Sequence, residues 1–189
     1  KKVDDFLKND PATDTAYAAE MYLVEKAINM IPANPTKDSV AAVKEARAAF
    51  DALTDVQKYL LQNKGTLAIL EKAEKQIADF EDESRIKAVE SFKIKVTTKR
   101  YTGSKMRINW TATGDESAID GYRVYYSTKK SNSGYKYLTK TTKKYINHTS
   151  IKKNVKKGTR VYYRVRAYVE IDGVRYFSDY STVGNRIWK

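Results

Sequence analysis

The chain has 189 residues, 41% of them hydrophobic, with a formal net charge of +13; that is enough apolar material for one or two packed domains and too much for a disordered tail. It holds no cysteine and one histidine, which excludes thiol nucleophiles, disulfide scaffolds and zinc fingers and leaves few ligands for a metal. No stretch approaches the roughly 18 apolar residues of a membrane span, and the opening KKVDDFLKND lacks the apolar core of a signal peptide, so neither membrane insertion nor a leader is expected.

Charge and composition change together along the chain. Residues 1–85 carry 12 Lys and Arg against 16 Asp and Glu, whereas the remaining 104 carry 24 against 7. Alanine falls from 15 before the seam to 4 after it, and tyrosine rises from 3 to 12. Ala gives up no side-chain entropy in a helix, while Tyr, Thr and Val fit a pleated surface. A helical domain over 1–84 followed by a strand domain over 85–189 is therefore expected, joined near residues 81–86.

In the first domain Tyr17, Met21, Val24, Ile28 and Ile31 recur at helical spacing, which predicts a helix over 14–32 that Asp14 caps and Pro32 stops. Past the 32–35 turn, Thr36 is the expected cap of a helix over 37–53, with Val40, Val43, Ala46, Phe50 and Leu53 on its apolar face. Thr54 and Gln57 have the spacing of a capping box, in which each side chain satisfies the other's backbone amide. They open a third helix over 55–81, broken near Gly65, whose stripe is Leu67, Leu70, Ala73, Ile77 and Phe80. Three stripes on short connections predict a three-helix bundle. Glu71, Glu74 and Asp79 interleave with Lys72 and Lys75 as a solvated face does, and no group there titrates near neutrality.

The run VKEARAAFDALTDVQKYLLQNKGTLAILEKAEKQI, over 43–77, resembles small helical modules of Gram-positive cell-wall and surface proteins. Their recurrent phrase has the form V..AR.AYDALT..QK.LV.N...L..AE, with Phe50 here in the tyrosine's place and Leu61 in the valine's. The resemblance implies a spacer or binding module on a secreted protein.

From Phe92 the apolar period drops to two. Phe92, Ile94 and Val96 alternate with lysines, Met106, Ile108, Trp110 and Ala112 with polar residues, and Tyr122, Val124 and Tyr126 with Arg123 and Tyr125. Val161, Tyr163, Val165 and Ala167 continue the pattern, which predicts an antiparallel sandwich of strands with one wet and one buried face. Asp172-Gly173 marks a hairpin with a type I′ turn, and 132–134 a weaker turn. The segment TKTTKKYINHTSIKKNV is the poorest strand, with Tyr145, Ile146, Ile151 and Val155 as its apolar residues.

KMRINWTA, GYRVYYS, VKKGTRVYYRVRAY and the late DYS together resemble a fibronectin type III domain of the bacterial extracellular kind, over about residues 87–189. The resemblance implies that Trp110 is the buried centre of the sandwich, packed by Tyr122, Val124, Tyr163 and Val165. It also implies that Val161 stands where the family has its corner tyrosine, so the usual hydroxyl bond to the preceding loop is lost. There is no RGD between the sixth and seventh strands, and integrin binding is not implied.

Candidate sites are few. His148 has no neighbouring carboxylate and no second metal ligand, and is read as a solvent-facing strand or loop residue. Asp115, Glu116 and Asp120 offer calcium-type oxygens without the rhythm of an EF-hand, which favours turn-forming polarity over a calcium site. Asn147-His-Thr149 and Asn109-Trp-Thr111 fit the glycosylation sequon formally. The strongest pattern is basic and aromatic: strand parity turns Arg123, Tyr125, Tyr162, Arg164, Arg166 and Tyr168 outward on two neighbouring strands. Lysines at 129, 130, 136, 140, 143, 144, 152, 153, 156 and 157 add positive potential. Such a face suits an anionic polymer or sugar, and equally a set of cross-strand cation–π pairs on an ordinary sheet.

The expectation is a non-catalytic spacer and interaction segment of a secreted or cell-surface bacterial protein, located outside the cell or in its wall, with the other domains of its parent protein as partners. The alternative is a module that binds carbohydrate or anionic wall polymer through the basic-aromatic face. Specific nucleic-acid binding lacks a recognition helix or ribonucleoprotein sequence, no catalytic constellation is visible, and no cofactor is implied.

Overall fold

The structure, a computed structural model, describes residues 11–101, 105–130 and 132–188. The chain divides into two compact units, Lys1–Glu81 and Asp82–Lys189.

The first unit is helical, with four helices among the described residues rather than the three expected. They are α1 (Pro11–Asn29), α2 (Val40–Ala52), α3 (Asp55–Asn63) and α4 (Thr66–Ser91), the last crossing into the second unit. The first is described from Pro11, upstream of the expected Asp14 cap. It stops at Asn29, three residues short of Pro32. The expected third helix is two: α3 closes at Lys64, Gly65 takes a φ of 77°, and α4 starts afresh at Thr66. Residues 81–86, expected to join domains, are helical within α4.

The stripes do converge. Val24, Ile28, Ile31, Val43, Ala46, Phe50, Leu53, Leu61, Leu70, Ala73 and Ile77 form one buried cluster, while Phe80, counted with them by spacing, is 39% exposed. The Thr54–Gln57 capping box forms, and it does more than end a helix. Gln57 is 1% exposed; its Oε1 accepts from the Thr54 amide at 2.9 Å, and its Nε2 donates to the Tyr17 carbonyl of α1 at 3.2 Å. The Tyr17 hydroxyl lies 2.8 Å from Thr54 Oγ1. One cap thus ties α1 to α3. Gln57→Ala should lower the stability of the helical unit by about 1–2 kcal/mol, the range for a lost cap with a buried partner left behind. Helical circular dichroism followed through urea unfolding checks it, and a shift no larger than that of an exposed alanine substitution refutes it. Nearby, Arg47 forks onto both Glu74 oxygens at 2.6 Å, and that pairing raises the guanidinium pKa against the effect of burial.

The second unit is two antiparallel sheets. Strands β1 (Lys93–Tyr101), β2 (Lys105–Thr113) and β5 (Tyr145–His148) form one, in the order β1-β2-β5. The other runs β4-β3-β6-β7, with β8 also on β6, from β3 (Gly121–Ser127), β4 (Lys136–Thr141), β6 (Arg160–Ile171), β7 (Val174–Phe177) and β8 (Gly184–Ile187). Trp110 is 4% exposed and meets Tyr122 edge to face at 5.4 Å, in a core that also holds Val124, Val161, Tyr163 and Val165. Val89 of α4 and Phe92 complete it. Burial pushes the Tyr122 phenol up to about 12.

The Asp172-Gly173 turn forms with φ of 48° and 78°, the pair of positive angles that a type I′ hairpin needs. The weakest strand segment resolves into the end of β4, then β5 and a single helical turn, α5 (Ile151–Asn154), which the alternation did not foretell. That turn sinks Ile151 to 0% exposure and leaves Val155 at 7%, so the segment buries its apolar residues by curling away from the sheet. Tyr145 stays 37% exposed.

Candidate functional site

The outer face of the larger sheet carries the basic-aromatic pattern. In the β3–β6 register Arg123 lies opposite Arg166, Tyr125 opposite Arg164, Ser127 opposite Tyr162 and Gly121 opposite Tyr168. Their neighbours Tyr122, Val124, Tyr163, Val165 and Ala167 face the core, so the six residues share the other side. Two arginines directly opposite each other cost stability unless something intervenes. Here aromatic rings do.

The guanidiniums and rings alternate in one continuous stack. Arg123 sits 4.4 Å from the Tyr137 ring centroid and 5.8 Å from that of Phe177. Arg166 follows, 3.6 Å from Phe177 and 4.8 Å from Tyr180. Arg164 comes next, 5.7 Å from Tyr180 and 4.6 Å from Tyr135. Arg166 also donates from Nη2 and Nε to the Tyr125 hydroxyl at 2.9 and 3.2 Å. Tyr125 is only 8% exposed, packed edge to face by Tyr137 and Tyr180, and Tyr168 is 7% exposed beside Phe177. Both were expected to face solvent; Tyr137 of β4, Phe177 of β7 and Tyr180 beyond it cover them. Arg123, Tyr162, Arg164 and Arg166 are half-buried.

Four members of the stack escaped the sequence reading: Tyr135, Tyr137, Phe177 and Tyr180. Phe177-Ser178-Asp179-Tyr180-Ser181 repeats an aromatic–serine pair at an interval of three, a signal that a search for period two passes over. Its structural reason lies in the gap between β7 and β8. Ser178 donates its amide to the Ala167 carbonyl and accepts the Ala167 amide on Oγ at 3.0 Å. Ser181 does the same with Val165, accepting its amide at 2.9 Å. Each serine replaces one rung of the ladder, and the aromatic before it swings out between two arginines.

His148 departs from expectation. It is 1% exposed, Nδ1 lies 2.9 Å from the Tyr163 hydroxyl, and the ring meets Tyr126 at 4.9 Å edge to face. Nε2 has no hydrogen-bond partner among the described residues. Burial lowers the imidazole pKa to about 4 and raises that of the Tyr163 phenol, so both stay neutral at physiological pH. The reading as a surface residue failed because β5 belongs to the small sheet and Tyr163 to the large one: His148 fills the gap between them, a distance in space that local lysines do not reveal.

The three carboxylates considered for calcium each serve other partners. Asp115 caps the turn at Ser117, whose amide and hydroxyl reach it at 3.0 and 2.6 Å and hold its pKa down. Glu116 pairs with Lys144. Asp120 takes Arg85 Nη2 at 2.9 Å and the Glu170 amide at 2.7 Å. No cluster of metal-binding side chains forms among the described residues.

No family model matches the chain, and no curated protein matches it. Among solved structures, a fibronectin type III domain derived from a human protein is 15% identical, covering 58% of this chain and 80% of its own, with a TM-score of 0.43. A pectate lyase from Erwinia chrysanthemi in complex with tetragalacturonic acid is 13% identical over 47% of this chain and 26% of its own, at a TM-score of 0.33. A structure described as a myokine is 17% identical over 49% and 90%, at 0.36.

Proposed function

We propose that the chain is a non-catalytic spacer and interaction segment of a secreted or surface-attached bacterial protein, a helical module followed by a fibronectin type III-like sandwich. The sheet order β1-β2-β5 against β4-β3-β6-β7/β8, with Trp110 at its centre, supports the sandwich assignment, together with the resemblance of KMRINWTA, GYRVYYS and VKKGTRVYYRVRAY. The observation that carries the reading is the closed arginine–ring stack. A ligand site for anionic polymer needs guanidinium edges and ring faces free to engage it, and in this sheet they are engaged with one another.

Arg166→Ala separates this reading from polymer binding through the same face. Loss of three ring contacts and two hydrogen bonds to Tyr125 should lower stability by about 1–2 kcal/mol. Retention on an anionic wall polymer at about 0.15 M salt should stay within about twofold of wild type for folded Arg164→Ala and Arg166→Ala proteins. A collapse of retention without loss of stability makes this face a binding site instead. Turnover by this chain on a panel of glycosides or peptides would overturn the non-catalytic assignment.

A further inference from the structure

The other sheet carries a row of cations whose lysines have no ring stacked on them among the described residues. On β1 the inward residues are Ile94 and Val96, and the outward ones, Lys93, Lys95, Thr97 and Lys99, are all exposed. On β2 the outward row is Lys105, Arg107, Asn109 and Thr111. The three strands of this sheet contain no Asp or Glu at all. Lys99 stands directly opposite Arg107, a like-charge pair that costs stability. Lys95, Lys99 and Lys105 have no carboxylate within ion-pair distance among the described residues, and the contact of Lys93 with Asp179 at 3.6 Å is solvent-exposed and weak. On this face Tyr145 takes Arg107, 3.9 Å from its ring centroid, and Lys143, 5.9 Å away, and Arg107 Nε donates to Asn109 Oδ1 at 3.0 Å.

The row does not end at the sheet. Lys105 also lines a cleft of about 410 Å³ with Arg160, Asn185, Arg186 and Trp188, and no acidic residue lines it among the described residues. Arg160 Nη1 is held by Asn185 Oδ1 at 2.6 Å, which fixes one cation at the cleft wall. Outward positions on a strand repeat at about 6.8 Å and neighbouring strands lie about 4.8 Å apart. A row of cations at that pitch suits a linear polyanion, and the exposed hydroxyl groups of Thr97 and Thr111 supply partners for the hydroxyls of a sugar chain.

We infer that the outer face of the β1-β2-β5 sheet, running from Lys93, Lys95 and Lys99 into the cleft at Lys105, Arg160 and Arg186, is a binding surface for a linear acidic polysaccharide. The inference adds a ligand to the interaction segment proposed above and centres on the other sheet from the arginine–ring stack, with Arg160 and Arg186 contributed to the cleft by β6 and β8 of the larger one. Single-stranded nucleic acid is the poorer fit, because it calls for several open aromatic faces along a cationic track, and the described stacking on this face engages Tyr145 with Arg107.

The test uses the 189-residue chain with oligouronates of graded length, sulfated oligosaccharides and an oligonucleotide of matched charge, at about 0.15 M salt. Lys95→Gln/Lys99→Gln and Arg160→Gln/Arg186→Gln should each weaken oligouronate binding about tenfold, and affinity should grow with oligomer length. Lys136→Gln/Lys140→Gln removes the same charge from exposed positions on the other sheet and should change it less than about threefold. Equal losses in all three double variants would reduce the effect to net charge and overturn the proposal. So would tighter binding of the oligonucleotide, or no binding by the wild type. Sulfated oligosaccharides binding as well as uronates would keep the surface and widen the anion it accepts. If binding is absent while Arg166→Ala still lowers stability, the ligand proposal fails and the spacer reading stands.

Discussion

Between pH 6.5 and pH 4 the strand unit should lose about 3 kcal/mol of stability through His148. Burial holds the folded-state pKa of the imidazole near 4, below its ordinary 6.5, so across this window the unfolded chain binds a proton that the folded one refuses. Stability from this source is therefore complete above pH 6.5, declines by about 1.4 kcal/mol per unit as pH falls, and levels off below pH 4. The rings of Tyr126 and Tyr163 face His148 and supply no negative charge to soften the effect. Both tryptophans, Trp110 and Trp188, lie in this unit, so their fluorescence during denaturant unfolding reports it alone. His148→Phe/Tyr163→Phe removes both polar partners at once and should flatten the curve in this window at small cost near neutrality. A wild-type curve already flat there, or a double variant with the same slope, would rule out His148 as the source.

His148 also shows where sequence reading stops. Alternation along β2, β3 and β6 predicts which residues face the core, and Trp110, Tyr122, Val124, Tyr163 and Val165 all lie there, because a period of two is a property of each strand by itself. The capping box at Thr54 and Gln57 and the turn at Asp172-Gly173 were legible for the same reason, each being settled within four residues. What crosses between elements was not. Gln57 reaching the Tyr17 carbonyl, His148 reaching Tyr163, and Asp120 taking Arg85 on one oxygen and the Glu170 amide on the other all depend on which strands and helices become neighbours.

The basic-aromatic face was half legible. Its arginines follow from parity on β3 and β6, but most of the rings stacked on them come from β4, β7 and the segments beside those strands. Tyr125 and Tyr168 consequently moved from the solvent to the interior of a stack. The same parity, applied to β1 and β2, turns lysines outward, and among the described residues no ring stacks on Lys95, Lys99 or Lys105. One sandwich thus carries two positive faces of opposite character, one closed on itself and one open.

Replacing Ser178 and Ser181 together by alanine should lower the stability of the strand unit by about 2–6 kcal/mol, because two buried backbone amides lose their acceptors. Val165 and Ala167 are fully buried, and their N–H groups have the serine Oγ atoms as partners at 2.9 and 3.0 Å. A donor left dry and unpaired costs about 1–3 kcal/mol, more than the mean value of a hydrogen bond, since the amide had water to bond before folding. The serines also set the pitch of Phe177 and Tyr180, so Arg166 and Arg164 should lose their regular stacking and the tyrosine circular dichroism of this unit should change with it. The single variants act within one motif, and their sum should differ from the double effect. Asp179→Ala, between them and solvent-exposed, should stay within about 0.5 kcal/mol of wild type. If the double variant unfolds within about 1 kcal/mol of wild type, water or a shifted chain is replacing the serines, and the ladder account of the break between β7 and β8 is wrong.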